Sequence, residues 1–333
     1  MKTEASRSLK WLYCLTLIAG IFPSGNDLII AGAGDDYIVG DADYVAQYIW
    51  NADPSYQIGS TNWYHNSPDT FNWSVTPQPD GGALFQPVYQ YASGNSPGAG
   101  SDIIYAGAGA DHVWAGSGGD VVYGEGGADK INGDAGNDIL FGGAGDDTLW
   151  GGNGDNVLAG GIGDDKLYGE AGANYLEGGD GNDILSSGGP SSMLDGGAGN
   201  DDISAAGGGN TLDGGAGDDT LAADGGDNYL DGGDGINSLQ AMGGSNALFA
   251  GTGNDNLAVW GDGNYLDAGD GANTLYAQGI GNSLFAGAGD DQLSAHGGNN
   301  YLDGGAGATD VLFERSKREA ANDETTHTWR IAA

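Results

Sequence analysis

The sequence predicts an all-β fold, a parallel β-solenoid of 18-residue coils of the β-roll kind, with an aromatic-rich β insertion and short helical or disordered termini. Three observations carry that prediction. A nine-residue pattern restarts at every ninth residue from Pro97 to Gly304, giving 24 units in one phase. The eighth position is apolar in every unit, from Ile104, Val113 and Val122 through to Leu302 and Val311. The sixth is Asp in twelve units and Asn in ten, with Ser192 and Thr309 in the remaining two.

Each position of the unit has a physical role. The best copies, GGAGDDTLW (Gly142 to Trp150) and GGAGDDTLA (Gly214 to Ala222), define G-G-x-G-x-D-x-U-x, where U is a large aliphatic residue. Glycine at positions one, two and four lets a six-residue turn use left-handed backbone and bring carbonyl oxygens inward. The Asp at position six adds carboxylate oxygen, the hard donor that Ca²⁺ gathers six to eight of. Positions seven to nine form a short strand whose middle side chain points in and whose flanking side chains point out. Two units close one coil, with turns on opposite edges and two parallel sheets face to face. Twelve coils at about 4.8 Å each make a rod roughly 55–60 Å long.

The same pattern resembles the haemolysin-type RTX calcium-binding repeats at the C-terminal ends of secreted bacterial toxins, serralysin-type proteases, lipases and alginate epimerases. The resemblance covers about two-thirds of the chain. It implies a right-handed, Ca²⁺-loaded roll that folds after export, with type I (ABC-type) export machinery as a partner and an extracellular or cell-surface location. It implies no catalytic activity, because that family carries its chemistry in other domains.

Position six supplies the candidate calcium ligands: Asp102, Asp111, Asp120, Asp129, Asp138, Asp147, Asp165, Asp183, Asp201, Asp219, Asp255 and Asp291. Two further units precede the main array, SGNDLII (Ser24 to Ile30) and AGAGDDYIV (Ala31 to Val39), and add Asp27 and Asp36. Sorting units by parity separates two edges. On the first, running from Asp111 and Asp129 to Asp291, Asp predominates and the glycine spine persists. On the second, Asp102, Asp120 and Asp138 give way to Asn156, Asn174, Ser192 and then Asn210 to Asn300, and the spine decays, as in SAHGGNNYLD (Ser294 to Asp303). The expectation is calcium on both edges of the first coils and on one edge thereafter, with a neutral asparagine ladder replacing it.

Composition agrees with an exported cation binder. The net charge is −38, and Lys130 and Lys166 are the only basic residues between 11 and 314, which excludes nucleic acid as a partner. With one cysteine, Cys14, no internal disulfide can hold the fold together. Stacked same-edge carboxylates about 4.8 Å apart repel by roughly 1–3 kcal/mol per pair in effective dielectrics between water and a protein surface. A metal-free chain is therefore expected to be largely unfolded, and a millimolar exterior to fold it.

The flanks divide as 1–24, 25–42, 43–96 and 313–333 around the 97–312 roll. Residues 1–24 place Lys2, Arg7 and Lys10 before an apolar stretch, Trp11 to Phe22, which reads either as a secretory signal or as a helix capping the roll. The 43–96 insertion is rich in Trp and Tyr. Its segments FNWSV (Phe71 to Val75) and ALFQPVYQY (Ala83 to Tyr91) alternate like strands. It is either a glycan- or partner-binding hairpin or a β excursion packed on the roll. The tail holds Arg315, Lys317, Arg318 and Arg330 and is an export signal, a cap or a loose end. No H-E-x-x-H, G-x-S-x-G or P-loop occurs, and His65, His112, His296 and His327 share no context. No enzyme is expected. Two function classes follow: a Ca²⁺-dependent folding and export module of a larger toxin, adhesin or exoenzyme, or a self-contained surface protein binding through the insertion.

Overall fold

The structure, a computed structural model, describes residues 100–307 and 309–315, and five earlier segments as strands: Leu17–Ala19, Leu28–Ile30, Tyr37–Val39, Asn72–Pro77 and Ala83–Val88. Two long parallel sheets, of fourteen and thirteen strands, take successive strands of the chain alternately. Ile103–Ala108, Val121–Gly126 and Ile139–Ala144 are neighbours in the smaller sheet. His112–Ser117, Lys130–Ala135 and Thr148–Trp150 are neighbours in the larger. The register step is 18 residues, as in Leu140 opposite Leu158 and Leu176 opposite Leu194. This is the predicted solenoid of two-unit coils.

Alternation along each strand puts position eight inside. Leu140, Leu149, Leu158 and Leu167 have no exposed surface, and the stack continues to Leu284 and Leu293. Beside it, position one is buried too, as Ala in many units and as Val259, so each unit adds one large aliphatic side chain and a small residue to a narrow core. Outside, in-register neighbours form files on the sheet faces: Tyr105, Tyr123 and Phe141 stack with ring centroids 4.8 and 5.0 Å apart.

The last coil departs from the expected phase. Leu293 pairs with Leu312, nineteen residues on, and Val311 pairs with Gln292. The final unit thus carries one residue more than nine, taken up between Gly304 and Asp310. Asp310 occupies the position assigned to Thr309, and Leu312 replaces Val311, which is 48% exposed. A parallel ladder requires the apolar side chain to face the core, and only this register achieves it.

The two early units join the same sheets. Leu28–Ile30 pairs with Ile103 to Tyr105, and Tyr37–Val39 with His112 to Trp114. The insertion therefore interrupts the roll between consecutive coils. Leu17–Ala19, inside the apolar N-terminal stretch, is a parallel strand beside Tyr37–Val39 and not part of a helix. Within the insertion, Asn72–Pro77 and Ala83–Val88 pair antiparallel in a sheet of their own, as their alternation predicted. The rest of 1–99, with Asp27 and Asp36, and the tail beyond Arg315 lie outside the described residues.

Candidate metal centre

Turn conformation decides what each edge can hold. On the first edge positive φ falls at positions two and four in turn after turn, from Gly143 and Gly145 (113° and 131°) to Gly287 and Gly289 (81° and 149°). The second edge begins the same way, with Asp134 and Gly136 or Glu170 and Gly172. In the turn after Ser187 only position five, Ser191, is left-handed, and from the next second-edge turn the pair sits at positions three and five, as in Gly207 and Gly209, Gly225 and Asp227, Gly243 and Ser245, or Gly297 and Asn299. The loss of the glycine spine is thus a change of turn, not only of sequence.

All twelve predicted Asp side chains of the main array are buried, each no more than 2% exposed. Each coil ties to the next through them. The backbone N–H of Asp111 donates to Asp129 Oδ1 at 2.8 Å, that of Asp129 to Asp147 Oδ1 at 2.7 Å, and that of Asp165 to Asp183 Oδ1 at 2.7 Å. The second carboxylate oxygen is different. Among the described residues, Oδ2 of Asp129, Asp138, Asp147, Asp165, Asp183, Asp201, Asp219, Asp255 and Asp291 is buried with no hydrogen-bond partner.

What this oxygen faces can be read from the glycine at position one. A Cβ on Gly196 would meet Asp201 Oδ2 and lie 2.7 Å from Gly214 O; one on Gly142 would meet Asp147 Oδ2 and lie 2.8 Å from Gly160 O. A carboxylate oxygen and the next coil's carbonyl therefore converge on a space that glycine leaves open. Two buried acceptors face to face are unfavourable unless a cation or a proton lies between them.

The electrostatics say the same. Burial pushes the Asp147 carboxyl up to about 7; the N–H of Asp129 pulls it down, while the carboxylates of Asp129 and Asp165 push it further up. Asp201 is likewise raised to about 7, and Asp138, Asp165 and Asp183 to about 6, burial being the largest cause each time. Asp129, Asp219, Asp255 and Asp291 shift in the same direction for the same reason. Among the described residues no three His, Cys, Asp or Glu side chains gather at one point. Each turn offers a metal several carbonyls and one carboxylate, an all-oxygen set that suits a hard divalent cation and not zinc or copper.

Where Asn stands at position six, its amide identifies those carbonyls. Asn273 Nδ2 donates to Gly269 O and Gly271 O of its own turn, both at 3.3 Å, and to Ala286 O of the next coil at 3.2 Å. These are positions two, four and one. On the later second edge the amides also run from side chain to side chain: Asn228 to Asn246 Oδ1, Asn246 to Asn264 and Asn264 to Asn282, at 3.0 to 3.1 Å, while Asn228 and Asn246 each keep one carbonyl of their own turn, Gly225 O and Met242 O. The expected asparagine ladder is present.

The family model of the RTX calcium-binding nonapeptide repeat matches residues 24–44, overlapping stretches from 98 to 185 and from 195 to 275, and 279–310. The chain belongs to the RTX calcium-binding nonapeptide repeat family. No curated protein sequence gives a significant match. The RTX match restates in family terms what the turns present: a calcium-binding roll whose oxygens fit the ion. Sequence reading of the RTX units missed two things. Asp310, buried with Oδ2 unpaired and Oδ1 accepting the Asp291 N–H at 3.2 Å, completes the first edge; the D-x-Leu spacing of Asp310 to Leu312 was the available signal. The carbonyls at positions one, two and four could not be singled out without the turn's geometry.

Proposed function

We propose that this chain is a calcium-dependent folding module of an exported protein, with its ions held along the first edge and at the early turns of the second. The ligands are Oδ2 of Asp129, Asp147, Asp165, Asp183, Asp201, Asp219, Asp255, Asp291 and Asp310 on the first edge and of Asp138 on the second, joined by turn carbonyls. Asp102, Asp111 and Asp120 occupy the same position in the first described coils and are assigned the same role, as are Asp27 and Asp36 from their units. The observation that carries the proposal is the buried, unpartnered carboxylate oxygen aimed at a neighbouring carbonyl. Calcium supplies the positive charge and accommodates six to eight oxygens.

The residues do the rest. Oδ1 fixes the carboxylate against the preceding coil, so Oδ2 is pre-aimed; the glycines keep the space open; the aliphatic stack closes behind each turn. Modules of this chemistry outside cells bind at about 10⁻⁴–10⁻³ M. Cytosolic calcium leaves them empty and an exterior fills them, so leaving the cell triggers folding. Circular dichroism of the full chain in chelator is expected to be mostly disordered, with β signal appearing cooperatively as Ca²⁺ reaches high micromolar to millimolar. A Ca²⁺-indifferent β spectrum defeats the proposal.

A second reading assigns the chain to adhesion through its insertion. What favours it is the hairpin of Asn72–Pro77 and Ala83–Val88, which pairs outside the two long sheets. Deleting 43–96 should then abolish binding to glycan-coated or cell surfaces and leave the calcium transition intact. Loss of neither property, or of both, counts against it.

A further inference from the structure

We infer that beyond Asp219 the first edge alternates two kinds of seat, one for an ion and one already occupied by an asparagine amide. This rests on the calcium reading above and deepens it. From Asp129 to Asp219 every first-edge turn carries Asp at position six; then Asn237, Asp255, Asn273 and Asp291 alternate.

The turns themselves do not alternate. Positive φ falls at positions two and four in both kinds: Gly233 and Gly235 (78° and 123°) and Gly269 and Gly271 (73° and 141°) beside Asn237 and Asn273, against Gly251 and Gly253 (86° and 155°) beside Asp255. Nor does Oδ1 change its role, since Asn237 and Asn273 accept the N–H of Asp219 and Asp255 at 2.9 and 2.8 Å. Only the other atom differs. In Asn273 it is a nitrogen donating to three carbonyls, and in Asn237 a nitrogen donating to Ala250 O at 3.2 Å. In Asp255 and Asp291 it is a buried oxygen with no partner. An amide that satisfies the carbonyls an ion would bind stands in the ion's place, so Asn237 and Asn273 are seats filled from within.

An independent pattern has the same two-coil period. NYLD at Asn228 to Asp231, Asn264 to Asp267 and Asn300 to Asp303 alternates with NALF (Asn246 to Phe249) and NSLF (Asn282 to Phe285). Through these, Tyr229, Phe249, Tyr265, Phe285 and Tyr301 form a continuous file of ring contacts, centroids 5.2–5.6 Å apart. The NYLD segments ending at Asp231 and Asp267 precede the Asn237 and Asn273 turns, NALF and NSLF precede the Asp255 and Asp291 turns, and the last NYLD, at Asp303, precedes the Asp310 turn that ends the alternation. The later roll is therefore built from paired coils that need one ion between them where the earlier coils need two.

Counting calcium bound to the full chain by equilibrium dialysis, with circular dichroism of the same samples, tests this. The double variant Asn237→Asp/Asn273→Asp should bind two more ions per chain than the wild type and need more Ca²⁺ to fold. The double variant Asp255→Asn/Asp291→Asn should bind two fewer and keep its β spectrum in Ca²⁺, because the amides fill the seats. Asp255→Ala/Asp291→Ala should bind two fewer and unfold at lower temperature than the Asn pair. A wild-type count that responds to neither the Asn→Asp nor the Asp→Asn change overturns the alternation. A wild type that binds no calcium overturns the underlying reading instead.

Discussion

At the scale of the residue, one side chain performs two tasks with two atoms. Oδ1 of each position-six Asp is a structural acceptor for the preceding coil, and Oδ2 is left for a ligand. Protons compete for that oxygen. Because the folded carboxyls of Asp147 and Asp201 titrate near 7 against about 3.9 when unfolded, the metal-free fold takes up protons. Its stability is lost as pH rises through about 6–7 and is fully gained below about 4. In metal-depleted buffer, acidification from pH 8 to 4 should therefore increase β signal, and because protonation already favours the fold, the Ca²⁺ midpoint for folding at pH 5.5 should lie below that at pH 8. An acid-insensitive midpoint would remove the Asp seats from the mechanism. Gly145 is a second sensitive point. Its φ is +131°, and a Cβ there would run into the Gly127 carbonyl of the preceding coil. Gly145→Ala should raise the Ca²⁺ midpoint for folding, whereas Ala144→Ser, at the exposed neighbouring position, should not.

At the scale of the element, in-register pairing repeats whatever a strand carries, favourable or not. On the smaller sheet Glu177, Asp195, Asp213 and Asp231 are direct neighbours on successive strands. Burial first, then the charge of Glu177 on Asp195 and of Asp195 and Asp231 on Asp213, raises those two carboxyls. Like charges directly opposite are destabilising by a few tenths to about 1 kcal/mol, so Asp213→Asn should raise the melting temperature of the Ca²⁺-loaded roll without changing the ion count. Tyr123 lies between Tyr105 and Phe141 in a favourable file. Tyr123→Ala loses two ring contacts of about 0.5–1.5 kcal/mol each and should lower that melting temperature, as calorimetry would read directly. The alternation of strands was visible in the sequence, because a period of two on a half-buried strand is set by the pleat. The change of turn on the second edge was visible only as decayed glycine spacing; that the left-handed residues move from positions two and four to three and five depends on how each corner closes against the one below.

At the scale of the whole molecule, a narrow core with one large aliphatic side chain per unit and a net charge of −38 make cohesion depend on what lies between coils. Salt screens the charge but provides no ligand, so 0.5 M NaCl in chelator should not restore the β spectrum that millimolar Ca²⁺ does. Mg²⁺ should substitute poorly, since it dehydrates reluctantly and demands a tight octahedron. Folding by either would show that charge relief alone suffices, and the carbonyl cage would lose its role.

The sequence by itself determined the solenoid, its 18-residue step, the residues in its core and the Asp file, because a strict period forces every coil to repeat the same burial and the same turn. It could not determine the phase of the last coil, where nine gives way to ten and Asp310 replaces Thr309; that choice belongs to the ladder, which must place Leu312 against the opposite sheet. Nor could it distinguish an Asn whose amide runs along a ladder, such as Asn264, from one that closes over three carbonyls, such as Asn273. The residue is the same in both; only the conformation of the turn beneath it decides which oxygens its amide can reach.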